Sequence, residues 1–314
     1  MQKGGLKRIL FGVFGIVFWL NASPIKEPLA PPLGTLFYQP LLKDQINWEQ
    51  RFAQMKRAKI DRLVLQWSAY GQVDFLDRSH WLEEILSAAT LYHIEVIVGL
   101  YGDELYFKHL EDPNLNLSFY LRELLTRNLD QAKRIISIAK DYDSFKGWYL
   151  YDEIDDTNFD SITRQATLRY YLRDLAMGLE KLAPKIPRYI SGYFSGHLSP
   201  EAYAAMFSLV TQGRYWIFLQ SGIGAGLVNA KQSLLYIKSF NRIFGANFIP
   251  IVEGFRFEKK VPKAVDYQHL TQQVKLISGL LKDRKLALFS LRYFFADGLY
   301  QAYVESHRLG FSIR

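Results

Sequence analysis

A single (β/α)₈ barrel is the fold class the sequence predicts, and three observations predict it. From Gly34 onward, short apolar runs alternate with longer amphipathic stretches. Eight such pairs fit into the chain, and a TIM barrel of that count typically takes about 250 residues. The first apolar run ends Tyr38-Gln39-Pro40-Leu41, without the glycine-rich phosphate turn expected of a doubly wound open sheet. That sheet is the rival that alternation permits, and its fingerprint is missing.

The strands are expected at 34–40, 62–68, 95–101, 147–153, 188–194, 215–220, 247–253 and 285–293. Each is a short run of branched and aromatic residues, as a strand buried on both faces requires. The helices lie between them. Segments 48–58 and 81–92 repeat apolar residues at three- and four-residue spacing. Segment 118–140 is long enough for two helices, and 163–182 is stopped by Pro184. Ser199-Pro200-Glu201 is a helix start in three residues: a cap, a proline for the first turn, and an acid facing the helix dipole. Segments 230–243, 267–281 and 299–307 complete the set.

The chain has 314 residues, 49% hydrophobic and 22% charged, ample for one large core. Its formal charge is +8, but Lys3, Lys7 and Arg8 lie in the N-terminal segment and the rest of the excess is dispersed. No basic run interleaved with aromatics occurs, so no nucleic-acid partner is expected. Cysteine is absent, which excludes disulfides, thiolate metal sites and a Cys nucleophile. The three early cations precede an unbroken apolar run from Ile9 to Leu20, the layout of a signal peptide or membrane anchor over 1–22. A Pro-rich linker is expected over 23–33 and the barrel over 34–314. Export follows as the expectation: a periplasmic protein, or one anchored in the inner membrane facing the periplasm.

Chemistry in a barrel lies at the C-terminal strand ends. In strand order the residues there are Tyr38 and Gln39, Gln66 and Trp67, Tyr101 with Asp103 and Glu104, and Asp152 and Glu153. Tyr193, Gln220, Glu253 with Arg256, and Arg292 with Tyr293 follow. Amides, carboxylates and aromatic rings together suit sugars, whose hydroxyls need hydrogen bonds and whose C–H faces stack on rings. Glu153 and Glu253 close strands four and seven, and two carboxylates flanking one bond are the equipment for glycoside cleavage. Period-two alternation turns Glu153 inward with Tyr149 and Tyr151, and Glu253 inward with Ile249 and Ile251. The competing reading makes each acid a salt bridge to Arg256 or Arg292 across the barrel top.

A Glu ending strand four and another ending strand seven resembles the pattern of the (β/α)₈ clan of retaining glycoside hydrolases. The segments Gly34-Thr35-Leu36-Phe37-Tyr38-Gln39-Pro40 and Gly147-Trp148-Tyr149…Glu153 also resemble a bacterial family of glycosidase-like barrels. The resemblance implies Glu153 as acid/base and Glu253 as nucleophile, with the carboxyls about 5–5.5 Å apart. It also implies a polysaccharide or oligosaccharide as substrate. The clan carries Asn before its acid/base, where this chain has Asp152, which when ionised only accepts hydrogen bonds.

Other chemistries find less support. His80, His93, His109, His197, His269 and His307 show no metal-ligand spacing, so no metal is expected. Asp152, Asp155 and Asp156 read as a solvated, helix-capping loop, with a calcium site as the lesser alternative. Gly222-Ile223-Gly224-Ala225-Gly226 lacks dinucleotide spacing and follows the sixth strand, so no cofactor is expected. Two rivals to the retaining glycosidase stand: a barrel that binds glycan without cleaving it, within a polysaccharide export or biofilm apparatus, and a retaining enzyme with Asp152 as nucleophile.

Overall fold

A computed structural model describes residues 33–281 and 284–308. The expected signal or anchor segment and the linker up to residue 32 lie outside the described residues. Eight parallel strands close into a barrel: β1 (Leu33–Tyr38), β2 (Arg62–Leu65), β3 (Glu95–Gly99), β4 (Phe145–Asp155), β5 (Arg188–Tyr193), β6 (Trp216–Gln220), β7 (Phe248–Glu253) and β8 (Leu286–Phe289). Each pairs with its sequence neighbours, and β8 closes the ring on β1 through pairs such as Leu36 with Leu288. Eight long helices surround them: α1 (Trp48–Arg57), α2 (Trp81–Leu91), α3 (Leu117–Ala139), α4 (Ile162–Leu182), α5 (Pro200–Thr211), α6 (Ala230–Phe244), α7 (Tyr267–Ser278) and α8 (Leu299–Arg308).

Parity along the strands divides the core in two. Every second residue points inward, and each strand contributes one to a buried plug: Phe37, Val64, Ile97, Tyr149, Tyr189, Phe218, Ile251 and Ala287. The alternate residues, such as Leu36, Leu63, Trp148, Ile190 and Val252, pack outward against the helices. At the mouth, helices begin on side-chain caps: Asn47, Asn116, Ser161, Ser199, Asn229 and Asp266 each accept a backbone N–H from the first turn. Among the described residues no helix is long and apolar enough to cross a membrane.

Three departures from the sequence reading matter for the site. Residues 117–139 form one helix of 23 residues, so the long amphipathic stretch is not divided. The last strand stops at Phe289, and Leu291–Phe294 is a short helix that carries Arg292 and Tyr293. Finally β4 is a strand of 11 residues with a bulge: Leu150 pairs with Ile190, but Ile154 pairs with Gly192. Two more residues fit into β4 than into its partner there, and the excess falls on Tyr151, Asp152 and Glu153. Over the strand ends lie a small sheet (Ala69–Tyr70, Val73–Asp74, Tyr101–Gly102) and, after β7, a hairpin (Phe255–Glu258, Val261–Ala264).

Candidate active site

Alternation along β4, which the two extra residues of the bulge preserve, turns Glu153 into the barrel mouth and Asp152 into the helix layer. The Glu153 Oε1 atom accepts hydrogen bonds from Ser191 Oγ on β5 and Gln220 Nε2 on β6, both at 2.9 Å. Ser191 is also 2.6 Å from the Tyr149 hydroxyl, so the acid sits at the head of a polar chain that rises out of the plug. Its other oxygen, Oε2, takes no hydrogen bond among the described residues. The residue keeps 9% of its surface exposed. Burial penalises the carboxylate more than Ser191 and Gln220 stabilise it, and Asp155 adds repulsion, so Glu153 is pushed up to about 7.

Asp152 also lies at about 7, raised chiefly by burial. Its Oδ2 accepts from the Tyr171 hydroxyl on α4 and, at 3.4 Å, from Asn128 on α3. It is 1% exposed and its Oδ1 has no partner. These contacts place the carboxyl between the barrel and helices α3 and α4, where it clamps the long strand to its cover.

Glu253 ends β7 and is completely buried. The loop after β6 folds around its carboxylate: Ser221 Oγ donates to Oε2 at 2.6 Å, Gly224 N to Oε2 at 2.7 Å and Gly222 N to Oε1 at 2.8 Å. Burial raises this acid above the usual carboxylate range, and the hydroxyl of Ser221 and the backbone N–H groups of residues 222–224 act against that shift. The nearness of loop and acid explains Gly224: a Cβ there would lie 2.3 Å from the Phe255 carbonyl oxygen and 2.7 Å from Glu253 Cβ. The two acids are therefore joined through consecutive residues, Gln220 bonding Glu153 and Ser221 bonding Glu253.

Neither arginine expected near Glu253 reaches it. Arg256 projects on the hairpin and pairs with Glu258 at 2.9 Å. Arg292 lies 3.3 Å from Asp44, against the loop after β1. The salt-bridge reading of both acids fails with them, because the groups holding Glu153 and Glu253 are hydroxyls, an amide and backbone N–H groups.

The remaining expected residues divide by direction. Gln39 and Tyr293 are partly exposed at the rim, and Tyr193 lies edge-on to Phe107. Gln66 is buried with its amide against the Tyr149 phenol. Trp67 is 4% exposed, stacks on Tyr70 with centroids 4.4 Å apart and donates to the Pro40 carbonyl. With Tyr151, edge-on to both rings, it forms an aromatic wall beside Glu153. Tyr101 accepts from Arg127 on α3 at 2.7 Å. Tyr38 turns outward to Trp48 and Asp44, as its place next to the inward Phe37 demands. Asp103 accepts from Tyr120 at 2.7 Å and caps the N–H of Leu105, while Glu104 packs under Gly71.

The acidic cluster after β4 is not a solvated loop. Asp156 has no exposed surface, and its carboxylate accepts from the backbone N–H groups of Ser195, Gly196, His197 and Leu198 at 2.8–3.2 Å. Asp155 is equally buried and accepts from Thr157 N and both nitrogens of Asn158. These contacts leave both carboxylates engaged, Asp155 by the residues that follow it and Asp156 by the loop after β5. Ser191, Ser221 and Gln273, which accepts from Glu253 N and donates to Glu253 O, were missed by sequence reasoning. Parity along β5 singles out Ser191, two residues beyond the inward Tyr189, whereas Gln273 on α7 carries no comparable signal.

A family model described as a domain of unknown function, DUF4434, matches residues 37–296. The match runs from the first strand to beyond the last and includes both glutamates. The chain belongs to the DUF4434 family. A relative of Escherichia coli strain K12, the uncharacterized protein YbcH, is 28% identical over 228 residues, covering 71% of this chain and 76% of YbcH. Among solved structures, a putative alpha-L-fucosidase from Bacteroides thetaiotaomicron superposes with a TM-score of 0.68 at 14% identity, covering 93% of this chain and 98% of its own. A GH18 chitinase from Pseudoalteromonas aurantia gives 0.55 at 14% identity over 87% and 99%. The intracellular xylanase TsXylA of Thermoanaerobacterium saccharolyticum gives 0.52 at 11% over 83% and 86%. At these identities the likeness establishes that the DUF4434 fold is the barrel of these proteins.

Proposed function

We propose that the protein is a retaining glycoside hydrolase acting on a polysaccharide outside the cytoplasm, with Glu153 as acid/base and Glu253 as nucleophile. One observation carries this reading: a mouth-facing glutamic acid at about 7, held by Ser191 and Gln220 through one oxygen. A general acid must carry its proton at the working pH and lose it in the next step, and a group near neutrality does both. The proton resides on Oε2, the atom without a partner. It passes to the departing glycosidic oxygen, and the carboxylate left behind takes a proton from the incoming water.

Glu253 Oε1 has a single donor, Gly222 N, and so retains a lone pair for the anomeric carbon. Access to it requires the loop of residues 221–226 to shift, since the acid is covered. In the aromatic wall the partly exposed rings of Tyr70 and Tyr151, backed by the buried Trp67, supply a face for a sugar ring. The names of the superposing structures, a putative fucosidase, a chitinase and a xylanase, agree in chemical class. Location outside the cytoplasm rests on the basic and apolar start of the chain.

The complete burial of Glu253 favours a second reading, a barrel that binds glycan without cleaving it, as part of an export or biofilm apparatus. Turnover and binding on a panel of aryl glycosides and polysaccharides separate the two. The hydrolase reading expects turnover by the native protein and a loss of about 10²–10⁴-fold in Glu153→Gln with glycan binding kept. Binding without turnover by the native protein selects the second reading, and absence of both overturns each.

A further inference from the structure

The end of the barrel opposite the mouth is strongly basic. It is built by the seven connections that lead from a helix to the next strand, α1 to β2 through α7 to β8. From the last turn of each helix to the second residue of each strand, the described residues include fourteen lysines and arginines against five aspartates and glutamates. Elsewhere in the described chain acidic side chains outnumber basic ones. The net charge of +8 thus conceals a polarity along the barrel axis.

Helix dipoles account for part of this, since cations such as Arg57, Lys181, Arg242 and Lys275 sit in last turns. They do not account for Lys59, Lys140, Lys185 and Arg214, which lie in the loops beyond. Three of the five acids on this face are paired: Arg62 with Glu95 at 2.5 Å, Arg188 with Glu180 at 2.6 Å, and Lys285 with Asp61, while Asp141 and Asp143 are exposed beside Lys140 and Lys146. Among the described residues no carboxylate pairs with the side-chain charge of Lys59, Lys140, Lys146, Lys185 or Arg214, and all five are exposed.

On the same face a groove of about 620 Å³ opens between the ends of α3 and α4. Its floor is apolar, from Ile136, Phe145, Leu182 and Ile186; Lys140 and Lys146 stand at its edge with Asp143, and so does Lys133, which pairs with Asp130 at 2.8 Å. Cations around an apolar slot match a phospholipid, with phosphate outside and hydrocarbon within. The path of the chain points the same way. Leu33 opens β1 at this end, its N–H donating to the Tyr303 hydroxyl. The apolar run from Ile9 to Leu20 precedes it by twelve residues, at most about 40 Å of extended chain.

We propose that this face is a docking surface for an anionic lipid bilayer, on which the barrel stands with its mouth turned away. The test is partition of the full-length chain onto vesicles of phosphatidylcholine alone and of phosphatidylcholine with phosphatidylglycerol. The apolar N-terminal run contributes to both, so the ratio isolates charge, and a variant of the face separates it from Lys3, Lys7 and Arg8. The expected preference for the anionic vesicles is about tenfold or more at low salt, lost near 0.5 M salt and largely lost in the combined variant Lys140→Glu, Lys146→Glu, Lys185→Glu. These exposed positions lie far from the mouth, and an unchanged melting temperature verifies the fold. Equal partition onto both vesicles overturns the proposal. So does a preference that the triple variant keeps, which assigns it to Lys3, Lys7 and Arg8. Binding to a soluble anionic polysaccharide that the variant loses, without any vesicle preference, assigns the face to a polymer instead.

Discussion

Asp152 and Glu153 are adjacent, both are raised to about 7, and the cause is the same burial, yet they face opposite layers. Their linkage to folding has one sign. A carboxyl raised in the folded state holds its proton there while the unfolded chain releases it, so the stability it supports is full below about 4 and is lost as pH rises through 7. Replacing Asp152 by Asn removes that titration and keeps a group that can meet Tyr171. The variant is expected to be more stable than the native protein at pH 8, by about 4 kcal/mol at most, and to lose the advantage near pH 4. Melting curves across that range check it, and a gap that does not change with pH refutes it. Glu153 was legible in the sequence because period-two parity from Tyr149 points it inward. What surrounds Glu253 was not, because Gly222 and Gly224 act through backbone N–H groups that no side-chain pattern announces.

Among the elements, β4 and the loop after β6 carry the site. Alternation along β4 sends consecutive acids to opposite layers, and the bulge, by adding two residues, keeps that parity while the strand remains paired to β5 beyond them. The short helix Leu291–Phe294 was readable in principle, since Leu291, Phe294 and Phe295 recur at three- and four-residue spacing, but the apolar run before it hid the break. The loop of residues 221–226 is the element whose fit can be probed directly. Gly224→Ala places a methyl against the Phe255 carbonyl and Glu253, a conflict with backbone that no side-chain rotation relieves. The expected cost is about 1–3 kcal/mol in denaturant unfolding. Any glycosidase turnover is expected to fall with it, and an unperturbed variant would show that the loop does not hold Glu253 in solution.

Across the whole molecule, alternation and length were enough for the barrel, because eight buried strands wrapped by eight helices leave few other ways to cover both faces of a sheet. The distribution of charge was not legible, since residues gathered at one end of the axis are scattered along the chain. Orientation outside the cytoplasm is testable at the same scale: a periplasm-dependent reporter fused after Leu33 is expected to be active, and activity confined to a cytoplasmic reporter refutes export. One earlier feature bears on what the mouth will accept. Two successive βα loops close their amides on acids from other strands, four N–H groups on Asp156 and two on Glu253. Such clustered amides are where barrels otherwise seat phosphate. Here the chain's own carboxylates occupy them. Among the described residues, what remains around Glu153 is amide, hydroxyl and ring, so on the proposed function an uncharged sugar is expected to be taken in preference to a phosphorylated one.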